Sequence, residues 1–188
     1  MQRKLIAALA ATLSLSALAA PETFELDSTH TYPSFEISHL GFSPQRGMFK
    51  ETEGKLTLDR AAKTGSIEAT IKATSIETGY AKRDEHLRKP DFFNVEKHPT
   101  LTFKAQEFKF DGENPVEASG SLTMLGVTKP VTLKIEPMKC GVRGADQKYV
   151  CGGDVTTTIK RSEWGMKTYL PFIGDEVKIA IQVEAMKK

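Results

Sequence analysis

The amino-acid sequence predicts an all-β fold, an antiparallel barrel of eight strands with one or two short helices. Three observations carry this reading. Beyond residue 23 the dominant hydrophobic period is two, the period of a strand with one wet face. Gly, Pro and Asp fall between the alternating runs at hairpin spacing rather than at the longer spacing of βαβ units. Long strands with one polar face each bury their apolar sides, and hide their edges, most economically by closing into a barrel.

The first element is not a strand. Arg3 and Lys4 precede an uncharged Ala/Leu-rich run from Leu5 to Leu18, closed by Ala17-Leu18-Ala19. This is the pattern of a secretory signal peptide, with cleavage expected after Ala19 and a mature chain beginning at Ala20. The run is shorter than the roughly 20 residues that span a bilayer. Residues 1–19 are therefore read as a leader and residues 20–188 as one domain, because no repeat, low-complexity tract or linker divides them.

The strands follow in order near residues 23–28, 34–41, 45–58, 65–76, 99–110, 116–125, 129–140, 148–160 and 175–186, the second and third reading equally as one bent strand. Alternation is clearest where Ile67, Ala69, Ile71 and Ala73 interleave with Glu68, Thr70, Lys72 and Thr74, and where Val177, Ile179, Ile181 and Val183 interleave with Lys178, Ala180, Gln182 and Glu184. The polar segment 81–89 lacks alternation and stops at Pro90, so it is expected to be a short helix crossing between strands.

Parity also says what points inward. Ala69, Ala73, Ala105, Ala118, Gly120 and Thr157 are small, and their inward neighbours Ile67, Ile71, Phe103, Leu122, Met124 and Ile179 are apolar. Phe35, Ile37 and His39 share a face in the second strand. An eight-stranded barrel is either just filled by side chains or holds one small ligand. Both outcomes fit this pattern: a roomy apolar lumen, or one closed by Phe and Met from facing strands. A strand of about eleven residues spans roughly 36 Å, so a cavity would be long.

Charge and cysteine content narrow the function. The chain has 26 basic and 24 acidic residues, and the leader accounts for the whole excess. A neutral mature chain without a basic cluster is not a nucleic-acid binder. Cys140 and Cys151 enclose ten residues of an exported chain, which suits a structural disulfide stapling a hairpin. They lack the C-x-x-C spacing of a redox pair, and further zinc ligands are not nearby.

Catalytic motifs are weak. Asp27, Ser28 and His30 have the residue types of a hydrolytic triad, but sequence adjacency does not set triad geometry and no G-x-S-x-G elbow is present. The simpler expectation is that Asp27 and Ser28 end a strand and cap the next turn. His30, His39, His86 and His98 lack metal-ligand spacing, and no Gly-rich phosphate loop occurs. No metal, cofactor or catalytic residue is expected.

The order Asp27-Ser28-Thr29-His30, His39-Leu40-Gly41, Ser75-Ile76-Glu77-Thr78, Arg83-Asp84-Glu85-His86-Leu87, Asp91-Phe92-Phe93, Pro99-Thr100, Gly120 with Leu122-Thr123-Met124-Leu125-Gly126-Val127-Thr128-Lys129-Pro130, and Arg161-Ser162 with Trp164-Gly165-Met166 resembles the YceI-like family across the whole mature chain. The resemblance implies an extended, lipocalin-like eight-stranded barrel in an exported, periplasmic protein that binds a polyisoprenoid or other long-chain amphiphile. It implies no established catalytic activity. The cysteine pair is not part of the pattern.

The resulting expectation is a carrier of an apolar isoprenoid-type lipid, a quinone being one candidate, with membrane contact at most transient and no oligomeric state specified. The inward residues named above would line the lumen, and Phe42, Phe92, Phe93 and Trp164 would pack at its mouth. Arg83, Asp84 and His86 would serve as an ion-paired brace for the short helix or as head-group contacts. The competing readings are a lipid-modifying enzyme using His30 or His39, and a stress-related interaction protein with a filled barrel.

Overall fold

A computed structural model describes residues 20–188, so the leader and its cleavage site lie outside the described residues. The strand segments are β1 (Glu22–Leu26), β2 (Tyr32–His39), β3 (Ser43–Phe49), β4 (Thr52–Asp59), β5 (Thr64–Lys72), β6 (Ile76–Glu77), β7 (Thr100–Asp111), β8 (Asn114–Met124), β9 (Val127–Ile135), β10 (Lys139–Val142), β11 (Tyr149–Lys160) and β12 (Ile173–Lys187). One helix, α1 (Ala81–Leu87), and two 3-10 turns, Ala73–Ser75 and Arg161–Trp164, complete the list of elements among the described residues.

These segments make a closed antiparallel ring of eight positions. Along one edge β12 pairs with β2 through residues 173–182 and with β1 through 185–187, so β1 and β2 share one position. In the same way β3 and β4 share the next position, β5 and β6 the one after, and β9 and β10 both pair with β11. The pairing of β11 with β12 closes the ring.

The bend therefore joins the first strand to the second, not the second to the third. At Asp27 the carboxylate accepts the Thr29 N–H at 3.0 Å, a local turn that breaks the strand. Between β2 and β3, Leu40 (φ 53°) and Gly41 (φ 74°) both adopt left-handed backbone, which turns the chain back as a hairpin.

Gly120 also has a different role from the one expected. A Cβ there would lie 2.1 Å from the Lys104 carbonyl oxygen and 2.6 Å from the Ala105 Cβ. Its missing side chain lets β7 and β8 close on each other beside the bulge between Ala105 and Glu107, rather than opening room in the lumen.

Two apolar clusters occupy the interior. Phe24, Leu26, Leu56, Leu58, Cys151 and Ala185 seal one end. Phe49, Ile76, Phe92, Phe103, Met124, Trp164 and Met166 pack toward the helix end. Between them Ile37, Val177, Ile179 and Ile181 point inward yet stay only half-buried on the cavity, while Phe35 and Val155 line it and also pack against the helix-end cluster. Cys140 and Cys151 are directly opposite residues of the β10–β11 hairpin and are joined by a disulfide.

Candidate functional site: an apolar lumen

The space inside the ring is a cavity of about 550 Å³. That volume lies within the range of small-molecule sites. Its walls come from strands all around the barrel, with Ile67, Ala69 and Ile71 on β5, Phe103 on β7, Ala118, Leu122 and Met124 on β8, and Val177, Ile179, Ile181 and Val183 on β12. The period-two pattern puts these side chains on one face of each strand, and closure turns those faces toward one another.

Among the described residues the lumen opens toward α1. Opposite α1 it ends on the buried plug of Leu26, Leu58 and Pro115. At the α1 end its lining includes the partly exposed His86 and the exposed Tyr169, together with His39, Gln45, Thr78 and Arg83. The ionisable groups of the site thus collect at the mouth, while the bore is mostly apolar with a few hydroxyls, those of Thr31, Ser34 and Thr157.

Most of the expected positions lie on this cavity: Phe35, Ile37, His39, Ile67, Ala69, Ile71, Phe92, Phe93, Phe103, Leu122, Met124 and Ile179. Three do not. Ala73 sits in a 3-10 turn, fully buried, where its N–H donates to the Pro99 carbonyl at 2.8 Å. Phe42 projects from the β2–β3 turn into solvent. Trp164, 1% exposed, packs in the helix-end cluster and donates its indole N–H to the Leu122 carbonyl at 3.1 Å.

The positions missed are of two kinds. Val177, Ile181 and Val183 carry the same alternation as Ile179. Met166, Tyr169 and Ile173 come from a stretch with no period at all. That stretch is shaped by Arg161, whose buried guanidinium donates to four carbonyls, those of Gly174 (2.8 Å), Met166 (3.0 Å), Thr168 (2.9 Å) and Ile173 (3.0 Å). Burial pushes its pKa down, with the charge of Asp175 opposing. Burial likewise favours the neutral form of Asp175, but the hydroxyl and N–H of Ser162 outweigh it and hold that carboxyl below its usual value.

The helix brace is built around a threonine rather than a direct ion pair. Arg83 donates to the hydroxyl (2.7 Å) and carbonyl (2.6 Å) of Thr78 and to the side chain of Gln45, while Asp84 accepts the Thr78 N–H at 2.8 Å. His86 meets Asp91 at 2.9 Å and sets its ring edge against Phe92, centroids 5.0 Å apart.

At the sealed end, Asp27 and His30 come together with Glu184, His30 Nδ1 lying 3.1 Å from Asp27 and 4.0 Å from Glu184. The cluster already holds a cation: Arg143 lies 3.0 Å from Asp27 and 3.6 Å from Glu184. Burial alone would raise the Asp27 carboxyl, but the donors of Thr29 and Arg143 outweigh it and hold the group well below the usual carboxylate range. The arrangement is a clasp between the β1–β2 turn and the β10–β11 loop. Nothing in it prepares a serine for attack.

Closed antiparallel strands around a mostly apolar bore, sealed at one end and polar at the other, define a lipocalin-like hollow barrel. A family model described as the YceI-like domain matches residues 24–185, and the chain belongs to that family. It is 36% identical over 174 residues to Protein YceI of Escherichia coli O17:K52:H18, covering 92% of this chain and 90% of that one. A solved Campylobacter jejuni YceI protein superposes with a TM-score of 0.69 at 30% identity, covering 81% of this chain and 90% of that one. A polyisoprenoid binding domain from Saccharophagus degradans superposes with a TM-score of 0.64 over 88% of this chain and 98% of that one; at 14% identity this likeness is one of fold alone.

Proposed function

We propose that the protein is exported to the periplasm, loses residues 1–19, and there binds and carries an isoprenoid or other long-chain amphiphile in its lumen. The observation that carries this reading is the 550 Å³ bore itself, lined mostly by apolar side chains, with its charged groups at the α1 end. That division matches a ligand with a hydrocarbon body and one polar head. Burial of each methylene contributes about 0.8 kcal/mol, so affinity accumulates along the chain without a charged or catalytic residue. The ligand class proposed is the one named for a neighbour of the same fold, a polyisoprenoid binding domain. Two of the polar groups at the mouth are already engaged by the protein, Arg83 with Gln45 and Thr78, and His86 with Asp91.

Organic extraction of protein isolated from its native compartment, followed by mass spectrometry, tests the proposal. The expected result is a stoichiometric lipid with an isoprenoid or other long hydrocarbon chain, on a protein whose intact mass begins at Ala20. Protein that yields no lipid, and takes up none of an added polyprenol, would overturn the carrier reading.

A further inference from the structure

The rim of the open end is more apolar than a soluble protein's surface needs to be. Phe42 is 88% exposed, Phe172 67%, Tyr169 55% and Leu40 48%. They lie on two neighbouring tips: the Leu40 N–H donates to the Phe172 carbonyl at 2.8 Å, and the Tyr169 ring stands 6.2 Å from His86 at the mouth. Scattered single apolar residues need no explanation, whereas a cluster around a cavity mouth does. The loop bearing Tyr169 and Phe172 is held rigidly by Arg161 and by Thr168, whose hydroxyl donates to the Asp91 carbonyl at 2.9 Å. The tips are therefore presented outward instead of folding back over the lumen.

Charge on the rim is mostly basic, and the acidic groups beside it are paired, Asp91 with His86 at 2.9 Å and Glu85 with Lys89 at 3.7 Å. The three segments 40–46, 78–83 and 165–173 hold Arg46, Lys82, Arg83 and Lys167 and no acidic residue. Lys82 and Lys167 make no ion pair among the described residues.

The geometry points to a bilayer-docking rim: Phe42, Phe172, Tyr169 and Leu40 insert at the surface of an anionic phospholipid bilayer, with Lys82 and Lys167 against its head groups, and bring the lumen mouth onto the membrane. This rests on the carrier reading, since an apolar guest that leaves a bilayer avoids water only if the mouth meets that bilayer. Aromatic tips flanked by lysines are the side chains that suit the interface between head groups and acyl chains.

The test is vesicle flotation of the full exported protein, with extractable lipid measured on the same preparation. Vesicles of phosphatidylethanolamine and phosphatidylglycerol should carry the protein up, and pure phosphatidylcholine vesicles should carry less. Phe42→Ser with Phe172→Ser should weaken partitioning by about tenfold per ring. Neither residue lines the lumen, so lipid content should persist. Lys82→Glu with Lys167→Glu, a change that spares every apolar contact, should abolish the preference for anionic vesicles.

Wild-type protein that stays at the bottom with lipid in its lumen would overturn docking and leave the carrier standing. Flotation of a protein that never contains or takes up lipid would support docking and remove the carrier. A double serine variant that floats like wild type would overturn the rim as the contact. So would a wild-type dimer that dissociates in that variant while vesicles go unbound, since the patch would then belong to a second copy of this chain.

Discussion

Asp27 shows what a single buried carboxylate does in this barrel. It accepts from the N–H (3.0 Å) and hydroxyl (2.6 Å) of Thr29 and pairs with Arg143 at 3.0 Å, so one side chain both ends β1 and ties the first turn to a loop 116 residues away. The Arg143 guanidinium also holds Asp146 down to about 2. Because the folded state keeps Asp27 below its ordinary value, the clasp stabilises the protein fully above about pH 4 and loses that contribution as pH falls through the depressed value. Asp27→Asn should cost about 2 kcal/mol at pH 7, the scale of charge-assisted hydrogen bonds. Melting curves followed from pH 7 down to pH 2 should show wild type losing more than the variant, so that the two converge in acid. Parallel curves would mean that ionisation of Asp27 adds no pH-dependent stability.

At the scale of elements the disulfide is the simplest test. Cys140 and Cys151 join opposed residues of β10 and β11, and Arg60 lays its guanidinium 3.5 Å from one sulfur and 3.8 Å from the other. Closing a loop of this length removes unfolded-state entropy worth about 3 kcal/mol. Replacing both cysteines by serine should lower the melting temperature by about 6–12 °C while the circular dichroism of the barrel persists. An unchanged melting temperature would show the staple to be dispensable. The hairpin itself was legible in the sequence, because period two is set by backbone geometry: Ile67, Ile71, Phe103, Leu122 and Ile179 face inward as their parity requires. Parity fails where the backbone leaves the strand. Ala73 continues the alternation of β5, but the chain has already tightened into a 3-10 turn, held by the Ser75 hydroxyl on the Lys72 carbonyl at 2.7 Å. Trp164, expected at the mouth as an aromatic rather than by parity, is instead buried at the end of the second 3-10 turn. The mouth loop carries no local signal, since its shape is imposed by Arg161 reaching carbonyls up to 13 residues away.

Across the whole molecule the question is whether the interior is full or hollow, which no single strand can decide. Fullness depends on which inward side chains face one another across the ring, and that follows only from closure and shear. Closure sets Val177 between Ile159 and Ile37, half-buried and facing the bore. In a packed core, enlarging such a residue forces its neighbours off their rotamers and costs typically about 1–3 kcal/mol. Facing open space, the new ring instead buries apolar area of its own. Val177→Trp should therefore lose extractable lipid yet melt within about 2 °C of the unmodified protein, since each kcal/mol moves a domain of this size by about 2–4 °C. Both proteins must be stripped of ligand first, because bound lipid raises apparent stability by mass action. Ala73→Phe supplies the contrast, since Ala73 is fully buried in its turn and has no lumen in front of it. That variant should melt several degrees lower whatever the lumen contains. If Val177→Trp falls as far as Ala73→Phe, and the unmodified protein yields no lipid, the bore is filled in solution and the carrier reading fails.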